Sequence, residues 1–129
     1  MRFLLDTHVW LWLVSRPESL QNECLTQLAR PDAEIFLSVA SAWEIGIKYA
    51  MGKLDLPEPP EKYIPSRLTR DRVAVIPIEL PHAMKASSLP LLHRDPFDRL
   101  MVAQAQLLGL NLVTRDPMIQ QYEVNWILA

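Results

Sequence analysis

Strand-like and helix-like segments alternate along the chain, and this alternation limits the folds open to it more than any other feature. Short apolar runs such as Arg2–Leu5 and Asn111–Thr114 stand beside longer stretches whose apolar residues follow helical spacing. Strands that alternate with helices are typical of a parallel sheet, because each connection between parallel strands crosses over through a helix. We therefore predict an α/β fold.

The same patterns predict where the individual elements lie. Strands are predicted at Arg2–Leu5, 34–37, 73–76, Asn111–Thr114 and 124–128. Helices are predicted at Thr7–Ser15, 18–30, 39–51, 63–69, 79–87 and 96–108. Ser38 is placed to cap the third helix and Asp95 to cap the last, while Gly52 and Gly109 are the glycines that end these two helices. We see no repeat or linker and predict one domain over residues 1–129.

Composition limits the setting in which the chain works. Half of the residues are apolar and 22% are charged, which is ordinary for a globular protein. The single cysteine, Cys24, excludes an internal disulfide and suits a reducing cytoplasm. No apolar run reaches the roughly 20 residues that span a bilayer, and Asp6 and His8 interrupt the apolar start, so we expect neither a membrane segment nor a signal peptide. The net charge of −2 counts mildly against a nucleic-acid partner, but it allows a locally basic rim.

Four acidic residues fall close to the predicted ends of strands. Asp6 directly follows the first strand, and Asp116 lies just beyond the fourth. Asp98 stands in the first turn of the helix before the fourth strand, and Glu44 about two turns into the helix after the second. Parallel sheets bind ligands outside the carboxyl ends of their strands. We therefore expect these four carboxylates to lie together, and their mutual repulsion favours a hard divalent cation, Mg²⁺ or Mn²⁺.

Each acid also has a purely structural explanation. Asp6 could simply end a strand, although we favour the site for it. A carboxylate at position 98 stabilises the helix dipole, and Asp116 suits a turn. Glu44 points inward only if Trp43 and Ile47 pack against the core, and otherwise it is a solvated helix residue. No cysteine or histidine cluster suggests zinc, and with three glycines a phosphate-binding loop is hard to build. The metal site is therefore a prediction from the four acids together.

Basic residues stand next to the predicted site. Arg99 and Arg115 each adjoin one of the acids, and we predict that both hold a polyanionic substrate. Lys48 lies four residues after Glu44, where a simple helix ion pair explains it equally well. His8 is close enough in sequence to reach the edge of the site, but we favour a structural role for it.

Three segments carry a family resemblance: LLDTHVWLW near the start, SVASAWEIGIKYAMGKL in the middle and RDPFDRLMVAQAQLLGLNLVTRD near the end. They resemble PIN domains, specifically the VapC-like toxins of bacterial toxin–antitoxin pairs, and nothing is carried over for residues 56–94. The resemblance implies a three-layer α/β/α domain with a central parallel sheet of about five strands. It also implies a ribonuclease that uses Mg²⁺ or Mn²⁺ and needs no organic cofactor.

The family pattern can be carried over residue by residue. Asp6 matches its first acid, and Glu44 the acid of the helix after the second strand. Asp98 matches the acid that opens the helix before the fourth strand, and Asp116 the acid after that strand. Thr114 matches a hydroxyl position that orients a ligand or water. With all four acids present, the resemblance implies an active enzyme that hydrolyses RNA phosphodiester bonds.

Partners are also implied by the resemblance, namely a second copy of the chain and a small antitoxin protein. Residues 9–14 are all apolar, so either the next helix covers them or they form an exposed interaction patch. We expect the patch, with the antitoxin along the first helices.

Two other functions compete with this reading. A receiver-type phosphoacceptor domain has a similar length and an acidic Mg²⁺ pocket, but it needs paired acids after the first strand, where Asp6 stands alone. A non-catalytic PIN-like module that binds RNA or protein would be marked by a missing acid, and none is missing.

Overall fold

The computed structural model describes residues 1–129 as five strands, six α-helices and two short 3₁₀ turns. The strands are β1 (Arg2–Leu5), β2 (Glu34–Ser38), β3 (Ala74–Ile76), β4 (Asn111–Thr114) and β5 (Trp126–Leu128). The helices are α1 (Thr7–Ser15), α2 (Asn22–Leu28), α3 (Val39–Ala50), α4 (Pro60–Asp71), α5 (Leu80–Ser88) and α6 (Pro96–Leu108). The 3₁₀ turns are Pro17–Ser19 and Ile119–Gln121. No helix is both long and apolar enough to cross a bilayer.

All five strands are parallel, in the order β3-β2-β1-β4-β5. β1 lies at the centre, with Leu4 opposite Phe36 on one side and Leu112 on the other. The two edge strands are three residues long, which leaves little unpaired backbone for association.

Helices cover both faces of the sheet because successive residues of β1 point to opposite sides. Phe3 and Leu5 belong to a core cluster with Trp10 of α1 and with buried residues of α2, α3 and α4. Leu4 belongs to a second cluster with Met101 and its neighbours in α6. The predicted three-layer α/β/α architecture is confirmed.

Several predicted boundaries differ from the structure, most clearly in α2. The predicted helix 18–30 begins only at Asn22, because the 3₁₀ turn Pro17–Ser19 comes first and Leu20 then adopts an extended backbone that carries it into the core. α4 is longer than predicted, since Pro60 starts it at a position where a missing N–H costs nothing. The third and fifth strands begin one and two residues later than predicted.

The apolar stretch 9–14 is more covered than predicted. Val9 and Trp10 are fully buried, and the four residues after them are half-buried against the same core cluster. The patch expected on α1 is therefore small. A more exposed apolar stripe lies along α3 and its C-cap, where Val39, Trp43 and Met51 face solvent.

Candidate active site

Asp6 lies where β1 ends and α1 begins. Its backbone N–H still bonds to the Val113 carbonyl of β4, and its side chain makes no capping bond to α1. The carboxylate instead accepts a hydrogen bond from Thr114 Oγ1, 2.8 Å from Oδ2, and is 6% exposed. Burial raises the pKa of the Asp6 carboxyl, and the Thr114 hydrogen bond opposes that rise. The fold therefore holds an acid in a setting that disfavours its charge.

Glu44 is buried on α3, as predicted, but the helix presents a different face. Trp43 is 61% exposed and Ile45 is fully buried, so Ile45 supplies the inward contact expected of Trp43. Glu44 Oε1 accepts a hydrogen bond from Thr7 Oγ1 at 2.8 Å, and Oε2 pairs with Lys48 Nζ at 2.8 Å. That bond raises the pKa of the Lys48 amino group. The expected helix ion pair is thus present.

Asp98 stands in the first turn of α6, after the N-cap that the sequence predicted. Asp95 Oδ1 accepts the backbone N–H groups of Phe97 and Asp98. Burial is the largest cause that raises the pKa of the Asp98 carboxyl to about 8. Repulsion adds to it from four neighbouring acids: Asp6, Asp95, Glu44 and Asp116. At neutral pH this group therefore keeps a proton in the metal-free protein.

Asp116 follows β4 and shares Thr114 with Asp6. Thr114 Oγ1 donates to Asp6 and accepts the backbone N–H of Asp116 at 3.0 Å, so one buried hydroxyl joins the two acids. Asp116 Oδ1 accepts the backbone N–H of Met118 at 2.9 Å. The hydroxyl predicted to orient a ligand or water thus contacts both acids that we expect to be metal ligands.

All four predicted acids line one pocket of about 510 Å³ at the carboxyl ends of β1 and β4. The donor atoms of Asp98, Asp116 and His93 lie within 4.8 Å of one another. Carboxylate oxygens are the ligands that hard divalent cations prefer. Burial raises the pKa of Asp98 most, and repulsion from the neighbouring acids raises it further; a cation would relieve that repulsion. The donor set therefore fits Mg²⁺ or Mn²⁺.

His93 belongs to this pocket and was not predicted. Its Nε2 lies 2.8 Å from Asp98 Oδ2 and 3.1 Å from Asp116 Oδ2. The available signal was its position just before the Asp95 cap, but a single histidine in a loop is a weak indicator.

Arg99 does not occupy the position predicted for it. It is 9% exposed, and its guanidinium points into the protein rather than toward the pocket. It donates to one hydroxyl and four backbone carbonyls, those of Tyr122, Ala86, Leu89, Pro90 and His93. With its donors used inside the fold, Arg99 fastens the loop before α6. The prediction that it binds RNA is corrected.

We expect Arg99→Met to lower the free energy of unfolding by about 3 kcal/mol or more, because buried acceptors would lose their donor. Urea unfolding of the purified variant measures this. Arg94→Met is the matched control, since Arg94 is exposed in the same loop, and its effect should stay within about 0.5 kcal/mol. Equal stability of the two variants would contradict the role of Arg99 in fastening the loop before α6.

Arg115 lies at the wall of the pocket, as predicted. Its guanidinium stacks on Trp12 at 4.6 Å and donates to the carbonyls of Ala129 and Ser19. His8 also lines the pocket, in loose contact with the Trp12 ring at 6.1 Å. The acidic centre therefore has a cationic and aromatic border on the α1 side.

Comparison with known proteins decides the family. Residues 3–125 match the family model described as the PIN domain. The chain belongs to the PIN domain family. This membership removes the receiver-type alternative, and the four acids thus lie in the pocket of a PIN domain.

Part of this PIN domain has a curated relative. Over 52 residues, this chain is 48% identical to Ribonuclease VapC16 of Mycobacterium tuberculosis (strain ATCC 25618 / H37Rv). The match covers 40% of this chain and 36% of the relative, so the chain spans only about a third of the relative's length in this match.

Solved structures share the whole fold. A chain in the crystal structure of VapBC2 from Rickettsia felis, bound to a DNA fragment from their promoter, matches with a TM-score of 0.74 and 17% identity, covering 98% of both chains. A chain of VapBC-1 from nontypeable Haemophilus influenzae matches with a TM-score of 0.67 and 21% identity, covering 98% of this chain and 97% of that one. At these identities the likeness concerns the PIN fold alone.

Proposed function

We propose that this PIN domain is a metal-dependent ribonuclease that hydrolyses RNA phosphodiester bonds. The observation that carries the proposal is the pocket in which four acids from separate chain segments meet, one of them with a pKa raised to about 8. The 48% identity of one segment to a protein named as a ribonuclease supports the same reaction.

The ligands in this proposal are the four acids: Asp6, Glu44, Asp98 and Asp116. A bound Mg²⁺ or Mn²⁺ supplies a nucleophile at neutral pH and stabilises charge on the phosphate and the leaving oxygen. Asp98 gives up its proton when it acts as a ligand. The Thr114 hydroxyl fixes Asp6 and Asp116 relative to each other, and a hydrogen bond from Thr7 holds Glu44. The ligands therefore need little rearrangement to bind a cation.

The substrate approaches a centre whose negative charge repels phosphates, so cationic groups beside it matter. Lys48 and Arg115 both line the pocket. Lys48 is already paired with Glu44, whereas Arg115 is exposed and is held in place by Trp12 and by the carbonyls of Ala129 and Ser19. We assign Arg115 as the residue that contacts the RNA backbone.

The direct test is incubation of the purified protein with defined RNAs in Mg²⁺, in Mn²⁺ and in EDTA, with the products separated on denaturing gels. We expect cleavage only with a divalent cation. Intact RNA under every condition, together with RNA binding, would instead support the non-catalytic module. Cleavage that persists undiminished in EDTA would remove the metal from the mechanism.

We also propose that the chain is the toxin of a toxin–antitoxin pair and binds a small antitoxin protein. The fold neighbours from Rickettsia felis and Haemophilus influenzae are VapBC structures, and a further neighbour is a toxin–antitoxin complex from Klebsiella pneumoniae. An apolar groove of about 350 Å³ lies beside α1 and α2, lined by Leu13, Leu25 and Ile35 among others. An antitoxin segment along these first helices would reach the acidic pocket past Trp12.

Trp12→Glu is expected to weaken antitoxin binding by at least about tenfold while leaving the domain folded, since a charge would then stand between groove and pocket. The affinity for the product of the neighbouring reading frame can be measured by calorimetry, with circular dichroism as the folding check. Trp126→Glu is the control, because Trp126 is exposed on an edge strand outside the pocket. Outright unfolding of Trp12→Glu would mean that Trp12 belongs to the core.

We also propose that the chain forms a homodimer. Because the apolar residues of α1 are mostly covered, we place the proposed interface on α3 instead. Val39, Trp43 and Met51 form an exposed apolar stripe there, of a kind that soluble proteins usually bury against a partner. Light scattering should give twice the chain mass for the wild type and a monomer for Trp43→Glu. Leu91→Glu is the matched control, since Leu91 is 85% exposed in a loop. A strictly monomeric wild type at high micromolar concentration would contradict the proposal.

A further inference from the structure

The contact between His93 and two of the acids can be read in two ways. Its Nε2 lies close to one oxygen of Asp98 and one of Asp116, at 2.8 and 3.1 Å. The nitrogen is either a further ligand that would turn its lone pair to a cation or a donor that holds the two carboxylates. The two readings require different tautomers of the ring.

The other ring nitrogen decides between them. Nδ1 of His93 accepts the backbone N–H of Asp95 at 3.3 Å, so Nδ1 carries a lone pair. A neutral imidazole has one N–H, which must then be on Nε2. The Nε2–H donates to Asp116 Oδ2, and Asp98 Oδ2 lies beside the same polarised N–H. In this tautomer Nε2 has no lone pair to offer a metal ion.

We infer that His93 is a positioning residue: its Nε2–H holds the carboxylates of Asp98 and Asp116 together for the cation, and the ring is not itself a ligand. The inference rests on the proposed metal-dependent function. It assigns to one unpredicted side chain the task of keeping two carboxyl groups in close proximity.

The loop that carries His93 is built to keep the ring in place. The His93 backbone N–H donates to the Tyr122 hydroxyl at 2.9 Å, and its carbonyl accepts from Arg99 at 3.3 Å. Tyr122 in turn donates to the carbonyl of Pro90, and Arg99 donates to Tyr122. The buried Arg99 therefore acts on the site through the backbone of His93, although it does not touch the pocket.

Asp116 and Asp98 depend on His93 to different degrees. Asp116 is also held at Oδ1 by the backbone N–H of Met118. For the Asp98 side chain, His93 is the nearest polar partner, while the surrounding acids repel it. Loss of the Nε2–H should therefore leave Asp98 the less ordered of the two and weaken cation binding. Groups that orient metal ligands are typically worth about 10- to 100-fold in affinity.

The test measures Mn²⁺ affinity from the EPR signal of the free ion, with the folded protein and no RNA. His93→Ala should bind Mn²⁺ about 10- to 100-fold more weakly than the wild type. His93→Gln should recover most of this loss, because its side-chain amide supplies an N–H donor. His82→Gln is the control for loss of a largely buried histidine outside the pocket, and it should leave Mn²⁺ affinity unchanged. Nitrogen NMR of the metal-free protein should report the proton on Nε2 of His93.

Three results would overturn the inference: a proton on Nδ1, unchanged Mn²⁺ affinity in His93→Ala, or pulsed-EPR coupling from a directly coordinated nitrogen in the wild-type Mn²⁺ complex. The last result would make His93 a ligand. These outcomes are separate from the fate of the proposed function. A wild type that binds Mn²⁺ as expected but cleaves no RNA contradicts the ribonuclease and leaves the role of His93 standing.

Discussion

Asp98→Asn is expected to abolish RNA cleavage and, in the metal-free protein, to raise the Tm. The amide keeps the size and shape of the side chain, but it removes a negative charge from the proposed cation site. Loss of a ligand in metal-assisted hydrolysis removes several kcal/mol of transition-state stabilisation. We therefore expect cleavage to fall about a thousandfold or more, which corresponds to roughly 4 kcal/mol in the barrier.

The expected gain in stability comes from the same carboxylate. Burial and neighbouring acids raise its pKa to about 8, so the folded state is penalised wherever the unfolded chain would ionise it. An amide carries no such penalty, and it loses no helix-dipole interaction at pH 7 because Asp98 is uncharged there in the metal-free protein. At pH 7 we expect a Tm increase of at least about 5 °C in EDTA. Few substitutions both inactivate and stabilise a protein, and the combination separates a functional site from a structural one.

Asp55→Asn is the matched control, because Asp55 is an exposed acid outside the pocket. It should change neither cleavage nor Tm appreciably. Asp6→Asn should lose cleavage to a similar degree, since Asp6 lines the same pocket. If folded Asp98→Asn cleaves RNA at the wild-type rate, Asp98 is not a ligand and does not belong to the metal site.

The arrangement of the fold could be predicted because its signals are local. Apolar runs such as Arg2–Leu5 identify buried parallel strands, and Asp95 and Gly109 mark the ends of α6 by their own chemistry. Parallel strands bring their carboxyl ends to one edge, so acids directly after β1 and β4 are brought close by topology alone. The location of Asp6 and Asp116 in one pocket follows from this, while their role as ligands stays a prediction.

The direction of a side chain could not be predicted where it depends on distant packing. Arg99 stands beside Asp98 in sequence, but its guanidinium turns inward, where carbonyls at the end of α5 and in the loop before α6 accept its hydrogen bonds. On α3, apolar residues at positions 43, 45 and 47 allow more than one rotation of the helix, and tertiary contacts bury Ile45 rather than Trp43.

His93 shows the same limit at the site itself. Its partner Asp116 is 23 residues away, so the contact depends on how the loop before α6 meets the end of β4. The hydroxyl of Thr114 likewise joins two acids 110 positions apart in the chain, Asp6 and Asp116. Such bridges form only after folding, and spacing along the sequence does not encode them.

The contribution of Asp98 to the stability of the metal-free protein should fall as pH rises from about 4 to about 8. Below pH 4, Asp98 is protonated in both the folded and the unfolded chain, so its raised pKa has no effect. Between its ordinary pKa of 3.8 and the folded value of about 8, the unfolded chain releases a proton that the folded chain retains, and the free energy of unfolding falls. Above about pH 8 both states are ionised and the loss is complete. The raised pKa of Asp6 acts in the same direction.

The contribution of Asp98 is isolated by subtracting the unfolding free energy of Asp98→Asn from that of the wild type at each pH. In EDTA the wild type should lose stability relative to Asp98→Asn steadily between about pH 4 and about pH 8, by at most about 1.4 kcal/mol per pH unit. Mn²⁺ should reverse this loss of wild-type stability most strongly near pH 8. There the folded protein holds the largest negative charge and gives up the fewest protons when it binds the ion. A difference that is flat with pH in EDTA would mean that Asp98 ionises normally in the folded chain. The repulsion among the four acids, on which the cation site is argued, would then be too weak to require a cation.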